Sequence, residues 1–323
     1  LLQTSNQFYT IPQLLLARLL VDNSCLDRVF FCNSGAEAME GSIKLSRKYG
    51  KDFRNGAHEI ITAFNSFHGR TLTTLAATGQ PHYQKTFMPL IPGFVHVEYN
   101  NIEAIMDATN ENTVAVMLEP VQGEGGVNIP SENYLTDVRD WCDKKGLVFV
   151  LDEIQTGMGR LGTLFGYQAF GIEPDVVALA KGLGGGVPIG AFLSKESYIA
   201  LKPGDHGSTF GGNALTCAAA YASSRYIIDN GVATNAKIVG EYFLEQLISL
   251  QSRHDMISEV RGKGLLIAVE FADDISAKVI HNCNEAGLLL NPVKPNTIRF
   301  MPPLIIGKHE VDIALNKLES ALM

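Results

Sequence analysis

Two charged residues, Asp152 and Lys181, each follow a short run of apolar residues in this chain of 323 residues. Residues 147–151 read LVFVL, residues 176–180 read VVALA, and glycines come soon after both charged residues. Continuous apolar runs of this length are typical of strands that are buried on both faces of a parallel sheet. Ligands bind beyond the carboxyl ends of such strands, where glycine lets the backbone approach closely. We therefore expect Asp152 and Lys181 to lie at one ligand site.

A lysine and an acid at the same sheet edge have a specific chemical use. Burial lowers the proton affinity of a lysine amine, as a Schiff base requires. An acid on a neighbouring strand can keep a pyridine nitrogen protonated. The pair therefore matches the residues that bind pyridoxal phosphate, with Lys181 joined to the cofactor and Asp152 opposite the ring nitrogen. A buried ion pair with a purely structural role fits these two residues equally well.

A longer stretch around the two residues resembles a known enzyme family. Residues 151–192 read LDEIQTGMGRLGTLFGYQAFGIEPDVVALAKGLGGGVPIGAF. They resemble the core of the class III (subgroup II) aminotransferases, which use pyridoxal phosphate, and the likeness extends over essentially the whole chain. The resemblance implies an α/β architecture, the type I fold of pyridoxal-phosphate-dependent transferases. A large domain with a mostly parallel central sheet, residues 1–230, would precede a smaller C-terminal α+β domain, residues 231–323.

The resemblance implies cofactor contacts for residues on several separate stretches. Gly35 and Ala36 follow a predicted strand at 29–32 and begin a helix, where free backbone N–H groups favour a phosphate. An ordinary capped helix also explains this pattern. Thr209 would bind the same phosphate from the partner subunit of a homodimer with shared active sites. The cofactor contacts implied in this way are Gly35, Ala36, Phe67, Asp152, Ile154, Gln155, Lys181 and Thr209.

The contacts with the cofactor ring follow from the same resemblance. Phe67 and Ile154 would cover opposite faces of the ring, and Gln155 would bond its phenolic oxygen. The catalytic residues would be Lys181, which moves the proton, and Asp152. His68 is expected to support its loop rather than to take part in catalysis.

Four further residues are implied to bind the substrate. Arg70 would pair with a substrate carboxylate, for which the planar guanidinium is well suited. Arg299 resembles the family's second carboxylate-binding arginine, although a surface arginine on a short strand would look the same. Glu124 matches the acid that pairs with this arginine, and Ser208 would lie near the substrate.

The activity implied is the transfer of an amino group from N-acetylornithine to 2-oxoglutarate, a step of arginine biosynthesis. Ornithine, succinylornithine or 4-aminobutyrate as the amino donor stays open, because one sequence does not rank the pocket residues. A binding or assembly protein that keeps the fold without turnover is a further alternative. The partners expected for the aminotransferase are small-molecule substrates, amino acids and 2-oxo acids.

The composition restricts the other function classes. The net charge of −8 does not indicate the basic surface that binds nucleic acids, and no apolar run is long enough to span a membrane. The five cysteines are scattered, with neither metal-ligand spacing nor a disulfide framework, so we expect no metal. This usage suits a reducing compartment: the cytoplasm, or the mitochondrial matrix in a eukaryote. The chain begins without methionine, and compared with the family pattern an N-terminal segment of several tens of residues is expected to be missing.

Local patterns predict where several elements begin and end. Thr10 and Gln13 have the spacing of a helix cap, and Gly50 is expected to end the helix that begins after Ser34. In the C-terminal part, strands are predicted near residues 264–271, 288–291 and 297–300. No strand is predicted between residues 252 and 263.

Overall fold

The computed structural model describes residues 2–322, which form two β-sheets covered by helices. The strands of the first sheet are β1 (Arg28–Cys32), β2 (Glu59–Ala63), β3 (Phe94–Val97), β4 (Thr113–Leu118), β5 (Val148–Asp152), β6 (Val176–Leu179) and β7 (Gly190–Ser194). The strands of the second sheet are β8 (Ile257–Lys263), β9 (Leu266–Phe271), β10 (Asn291–Lys294) and β11 (Thr297–Phe300). The α-helices are α1 (Ile11–Asp22), α2 (Gly35–Phe53), α3 (Leu72–Ala77), α4 (Pro81–Gln84), α5 (Ile102–Ala108), α6 (Tyr134–Lys145), α7 (Ala214–Asp229), α8 (Val232–Gln251), α9 (Ser276–Glu285) and α10 (Lys308–Leu322).

The first sheet is mostly parallel, with the strand order β1-β7-β6-β5-β4-β2-β3. Only β7 runs antiparallel to its neighbours. Alternate residues of β5 belong to two apolar clusters, Phe149 and Leu151 on one face and Val148 and Val150 on the other. Burial on both faces explains why this strand is continuously apolar. The predicted α/β fold with a mostly parallel sheet is confirmed.

The second sheet is antiparallel, has the order β10-β11-β9-β8, and packs with α8, α9 and α10 around its own apolar cluster. The expected strand near residues 288–291 lies at Asn291–Lys294 instead, on the edge, where the Pro292 nitrogen is tolerated. β8 was missed because it is an edge strand whose sequence, ISEVRGK, is largely polar. The division of the chain at residue 231 stays a prediction.

Two helix ends differ from the sequence prediction. The hydroxyl of Thr10 makes no capping hydrogen bond, although α1 begins directly after it. Gly50 does not end α2, which continues to Phe53. A Cβ at Gly50 would lie 1.8 Å from the carbonyl oxygen of Ala57, so this glycine lets the segment after α2 pack closely against the helix.

Arg160, in the loop after β5, holds the second sheet against the first. Its Nη1 donates to the carbonyl oxygens of Leu265, at 2.9 Å, and Pro302, at 2.7 Å. These contacts bring the end of β11 close to the carboxyl edge of the large sheet. Within residues 2–322, no helix has the length and apolar character that crossing a membrane requires, and no cluster of three or more side chains could hold a metal ion.

Candidate active site

A cavity of about 470 Å³ lies at the carboxyl ends of β4, β5 and β6, where the sequence predicted a ligand site. Most of the predicted site residues line it: Gly35, Ala36, Phe67, Arg70, Glu124, Asp152, Ile154, Gln155 and Lys181. Arg299 contacts two of them, whereas Ser208 and Thr209 do not line this cavity. The parallel sheet thus brings together residues that are far apart along the chain.

Lys181 begins a short 3₁₀ helix, Lys181–Gly184, which is separated from the end of β6 by one residue, Ala180. Its φ of +43° places a residue with a side chain in the left-handed region. The side chain is accessible from the cavity, yet the surrounding protein atoms desolvate the amine and lower its pKa. The carboxylates of Asp152 and Glu124 partly oppose this shift. A lowered pKa suits an amine that acts as a nucleophile or moves a proton.

The Asp152 carboxylate is almost completely buried and is held at both oxygens. Its Oδ1 accepts a hydrogen bond of 3.0 Å from the Ile154 N–H, and its Oδ2 lies 2.8 Å from Nδ1 of His68. The His68 N–H in turn donates to the hydroxyl of Thr78 at 2.9 Å. His68 therefore orients Asp152, a function that the sequence did not reveal because their pairing is purely tertiary.

The start of α2 is organised as a helix cap. The Ser34 hydroxyl accepts a hydrogen bond from the Glu37 N–H at 3.2 Å, and the Glu37 carboxylate accepts one from the Asn33 N–H. Gly35 and Ala36 open the helix, so their N–H groups have no partner within it. A Cβ at Gly35 would lie 2.8 Å from a methyl group of Ile154, so glycine lets this side chain approach.

Arg70 lies over aromatic rings at the mouth of the cavity. Its Cζ is 4.1 Å from the ring centre of Tyr83 and 5.5 Å from that of Phe67. Cation–π contacts of this kind restrain a guanidinium while leaving its N–H groups available. Tyr83 was missed in the sequence, since nothing in its neighbourhood indicates a contact with Arg70.

Glu124, Gln155 and Arg299 form a hydrogen-bonded triangle. Nη1 of Arg299 donates to Oε1 of Glu124 at 2.9 Å and to Oε1 of Gln155 at 3.1 Å. Nε2 of Gln155 donates to Oε1 of Glu124 at 3.0 Å. Burial alone would raise the pKa of Glu124, but the nearby Arg299 and Gln155 lower it overall. A Cβ at Gly123 would lie 1.6 Å from Oε1 of Gln155, so the glycine makes room for the amide.

Ser208 and Thr209 lie in the loop before α7, outside the cavity of the same chain. The Ser208 hydroxyl accepts hydrogen bonds from the Asn33 side-chain amide at 3.1 Å and from the Gly211 N–H at 3.0 Å. Thr209 is exposed. A single chain therefore does not bring Thr209 onto the N–H groups of Gly35 and Ala36.

Comparison with known proteins gives a consistent result. The family model described as aminotransferase class-III matches residues 1–322. The acetylornithine aminotransferase of Methanocaldococcus jannaschii is 50% identical over 323 residues, covering 99% of this chain and 80% of the relative. The acetylornithine aminotransferase of Caldanaerobacter subterraneus is 47% identical, covering 100% of this chain and 82% of the relative. The ornithine aminotransferase structure from Toxoplasma gondii superposes with a TM-score of 0.94 at 34% identity, covering 99% of this chain and 78% of that one.

Proposed function

The chain belongs to the class-III aminotransferase family, and we propose that it transfers the amino group of N-acetylornithine to 2-oxoglutarate. The products are N-acetylglutamate semialdehyde and glutamate, in a step of arginine biosynthesis. The observation that carries the proposal is the ion pair of Glu124 and Arg299 beside the cavity of Lys181. One arginine that is either neutralised or free suits an enzyme that handles a monocarboxylate and a dicarboxylate in turn.

The enzyme uses pyridoxal phosphate, which serves as an electron sink while the amino group is transferred. The donor set of the cavity fits this group. Gly35 and Ala36 offer backbone N–H groups to the phosphate, and Asp152 offers a buried carboxylate to the ring nitrogen. Lys181 is the amine that binds the cofactor and moves the proton. The apolar side chains of Phe67 and Ile154 line the same cavity and would exclude water from the ring.

Gln155 has two roles in this proposal. Its amide is a donor for the phenolic oxygen of the cofactor, as the resemblance implies. In the structure the same amide bonds Glu124 and Arg299. The side chain therefore connects the ring site with the substrate site.

Two arginines are available for the substrate carboxylates. Arg70 binds the carboxylate of N-acetylornithine. Arg299 is held beside the cavity by Glu124, and its Nε is buried and has no hydrogen-bond partner among residues 2–322, so the guanidinium keeps unused hydrogen-bonding capacity. When N-acetylornithine is bound, Glu124 neutralises Arg299; when a diacid is bound, Arg299 is released to its second carboxylate.

A panel of amino donors tests the proposal. The purified protein with pyridoxal phosphate and 2-oxoglutarate is expected to show its highest kcat/KM with N-acetylornithine, ahead of ornithine, succinylornithine and 4-aminobutyrate. A higher value with one of the other three would replace the substrate assignment. A cofactor absorption band without transfer from any donor would favour a binding protein.

Replacing Glu124 with alanine is expected to change the balance between the two half-reactions. Arg299 would then stay free, which favours diacids and leaves an uncompensated charge when N-acetylornithine is bound. We expect the barrier of the N-acetylornithine half-reaction to rise by about 2 kcal/mol, the lower end for a truncated buried ion pair. The glutamate half-reaction should change less. Single-turnover rates with each donor measure the difference.

Glu259 provides a matched control for this variant. It makes an ion pair of the same length, 2.9 Å, with Arg261 on β8, but its side chain is 56% exposed to solvent. Glu259→Ala should leave both half-reactions unchanged. An equal loss in both half-reactions for Glu124→Ala would reduce Glu124 to a structural residue.

The enzyme acts as a homodimer with shared active sites in this proposal. Thr209 is exposed and lies beside the N-terminal segment, with which its loop lines a surface cleft. Several large apolar side chains are exposed on the same two segments: Phe8, Tyr9, Ile11 and Phe210. Exposed apolar patches often mark protein–protein interfaces, which supports a dimer contact here. Location in the cytoplasm stays a prediction.

Mixing two inactive variants tests the shared site. Subunits carrying Lys181→Ala are mixed with subunits carrying Thr209→Ala, and activity is followed during exchange. Each mixed dimer should regain one complete site, because the intact Lys181 meets the intact Thr209 of the other subunit. A mixture of Lys181→Ala with Asp152→Asn is the control, since both residues lie in one cavity, and it should regain nothing. If mass spectrometry proves subunit exchange and the two mixtures regain the same activity, or none, a site shared in this way is excluded.

A further inference from the structure

Glu119 is a buried acid of the cavity that has no role in the mechanism described above. It follows β4 directly, is 5% exposed, and lines the cavity. Its Oε1 accepts a hydrogen bond of 2.9 Å from the N–H of Phe67, and its Oε2 accepts one of 3.0 Å from the N–H of Gly123. One carboxylate thus bridges two loops that are more than fifty residues apart in sequence.

The two bridged loops carry two of the residues that are implied to bind the substrate. The loop after β2 contains Phe67 and, three residues later, Arg70. The loop after β4 contains Gly123 and, immediately afterwards, Glu124. Because β2 and β4 are parallel neighbours, these loops leave the sheet side by side. The bridge of Glu119 therefore helps to set the distance between Arg70 and Glu124, the acid that pairs with Arg299.

Other contacts hold the outer parts of the β4 loop independently of Glu119. Nε2 of Gln122 donates to the carbonyl oxygen of Phe64 at 2.8 Å, and the backbones of Gln122 and Asn128 pair with each other. Nη2 of Arg261 donates to the carbonyl oxygen of Gly126 at 2.7 Å. The frame of the loop would thus survive the loss of Glu119, while the N–H of Gly123, directly before Glu124, would lose its acceptor.

We propose that Glu119 is a positioning residue that sets the donor preference, by holding the Arg70 loop and the Glu124 loop in register. The proposal rests on the proposed function, since it concerns the same two carboxylate sites. Glu119 touches neither substrate carboxylate. It acts through the N–H groups of Phe67 and Gly123, which donate to its two oxygens and so fix both loops to one side chain.

The test replaces Glu119 with glutamine. The amide keeps the volume and one acceptor, but its NH₂ group faces the second backbone N–H, so one bridge is lost. We expect KM for N-acetylornithine to rise at least about tenfold, the factor for leaving one buried N–H without an acceptor, with a smaller change in kcat. The ratio of the N-acetylornithine to the glutamate half-reaction should fall, as for Glu124→Ala. The visible circular dichroism of the bound cofactor should also change, because Phe67 lines its site.

Glu153 is a matched control for Glu119. It is also a buried glutamate at the carboxyl end of a strand, and its carboxylate accepts hydrogen bonds from the N–H groups of Gly166 and Tyr167. Burial raises the pKa of both Glu119 and Glu153 to about 7. Glu153 does not line the cavity. Glu153→Gln should therefore lower the thermal stability without changing KM or the ratio of the half-reactions.

The outcomes separate this inference from the proposed function. The wild-type donor panel decides the substrate, and the Glu119 comparison is then made with the donor that the wild type prefers. Unchanged KM and unchanged half-reaction ratio in a folded Glu119→Gln protein would overturn the positioning role alone. If that variant does not fold, Glu119→Asp replaces it. Aspartate keeps the carboxyl group, but its shorter side chain no longer reaches both N–H groups. The same shift in KM and ratio is expected, and its absence would again overturn the proposal.

Discussion

Replacing Lys181 with alanine is expected to abolish measurable amino transfer. The side chain supplies both the amine that binds the cofactor and the group that moves the proton, and a proton-transfer group alone contributes about 10²–10⁴-fold. Borohydride reduction of the wild-type protein should attach the cofactor to the peptide that contains Lys181. The variant should bind the cofactor only reversibly, as mass spectrometry after denaturation would show.

Lys278 provides the control for this result. It lies exposed on α9 and does not line the cavity, so Lys278→Ala should keep both the turnover and the reducible linkage. Cofactor attached to any other lysine in the wild-type protein would contradict the role of Lys181. So would a Lys181→Ala protein that turns over at the wild-type rate.

Asp152→Asn is expected to lower kcat at least about 100-fold while leaving the fold intact, since electrostatic groups of active sites contribute at this scale. Asparagine has the same shape and can keep the hydrogen bond from the Ile154 N–H. It can also donate to His68, but it carries no negative charge opposite the ring nitrogen. Turnover and thermal unfolding of the variant, measured together, test the prediction.

Asp175 is the matched control for Asp152. It is a buried carboxylate that precedes β6, pairs with Arg139 at 2.9 Å, and accepts a hydrogen bond from the Phe149 N–H. It lies at the opposite edge of the sheet from Asp152. Asp175→Asn should lower the stability with little effect on kcat. Near-normal turnover of Asp152→Asn would remove Asp152 from the mechanism.

The sequence predicted the strands that deliver Asp152 and Lys181 because their burial on both faces leaves a continuous apolar run. It also predicted the site at the carboxyl edge, which follows from the parallel arrangement of those strands. It did not reveal the bond between His68 and Asp152 or the bridge formed by Glu119. Such contacts join loops from different strands, and no local pattern encodes which loops become neighbours.

Local signals failed where tertiary packing overrides them. Gly50 is a typical helix stop, but α2 continues to Phe53, and the glycine instead makes room for the backbone of Ala57. β8 has a polar sequence because it is an edge strand, which pairs only with β9. Its sequence therefore lacks the apolar pattern that predicts a strand. The family resemblance supplied the roles of Ser208 and Thr209, which the geometry of a single chain does not bring into the cavity.

The backbone of Lys181 places folding and chemistry in conflict. A φ of +43° costs a residue with a Cβ about 1–2 kcal/mol, whereas glycine adopts it freely. The residue that this backbone conformation favours most is therefore glycine, which has no amine and cannot perform the reaction. Selection for stability alone would remove the lysine, and only selection for turnover keeps it. Stabilising this enzyme by substitution must accordingly draw on other positions, because the strain at Lys181 is a cost of its activity.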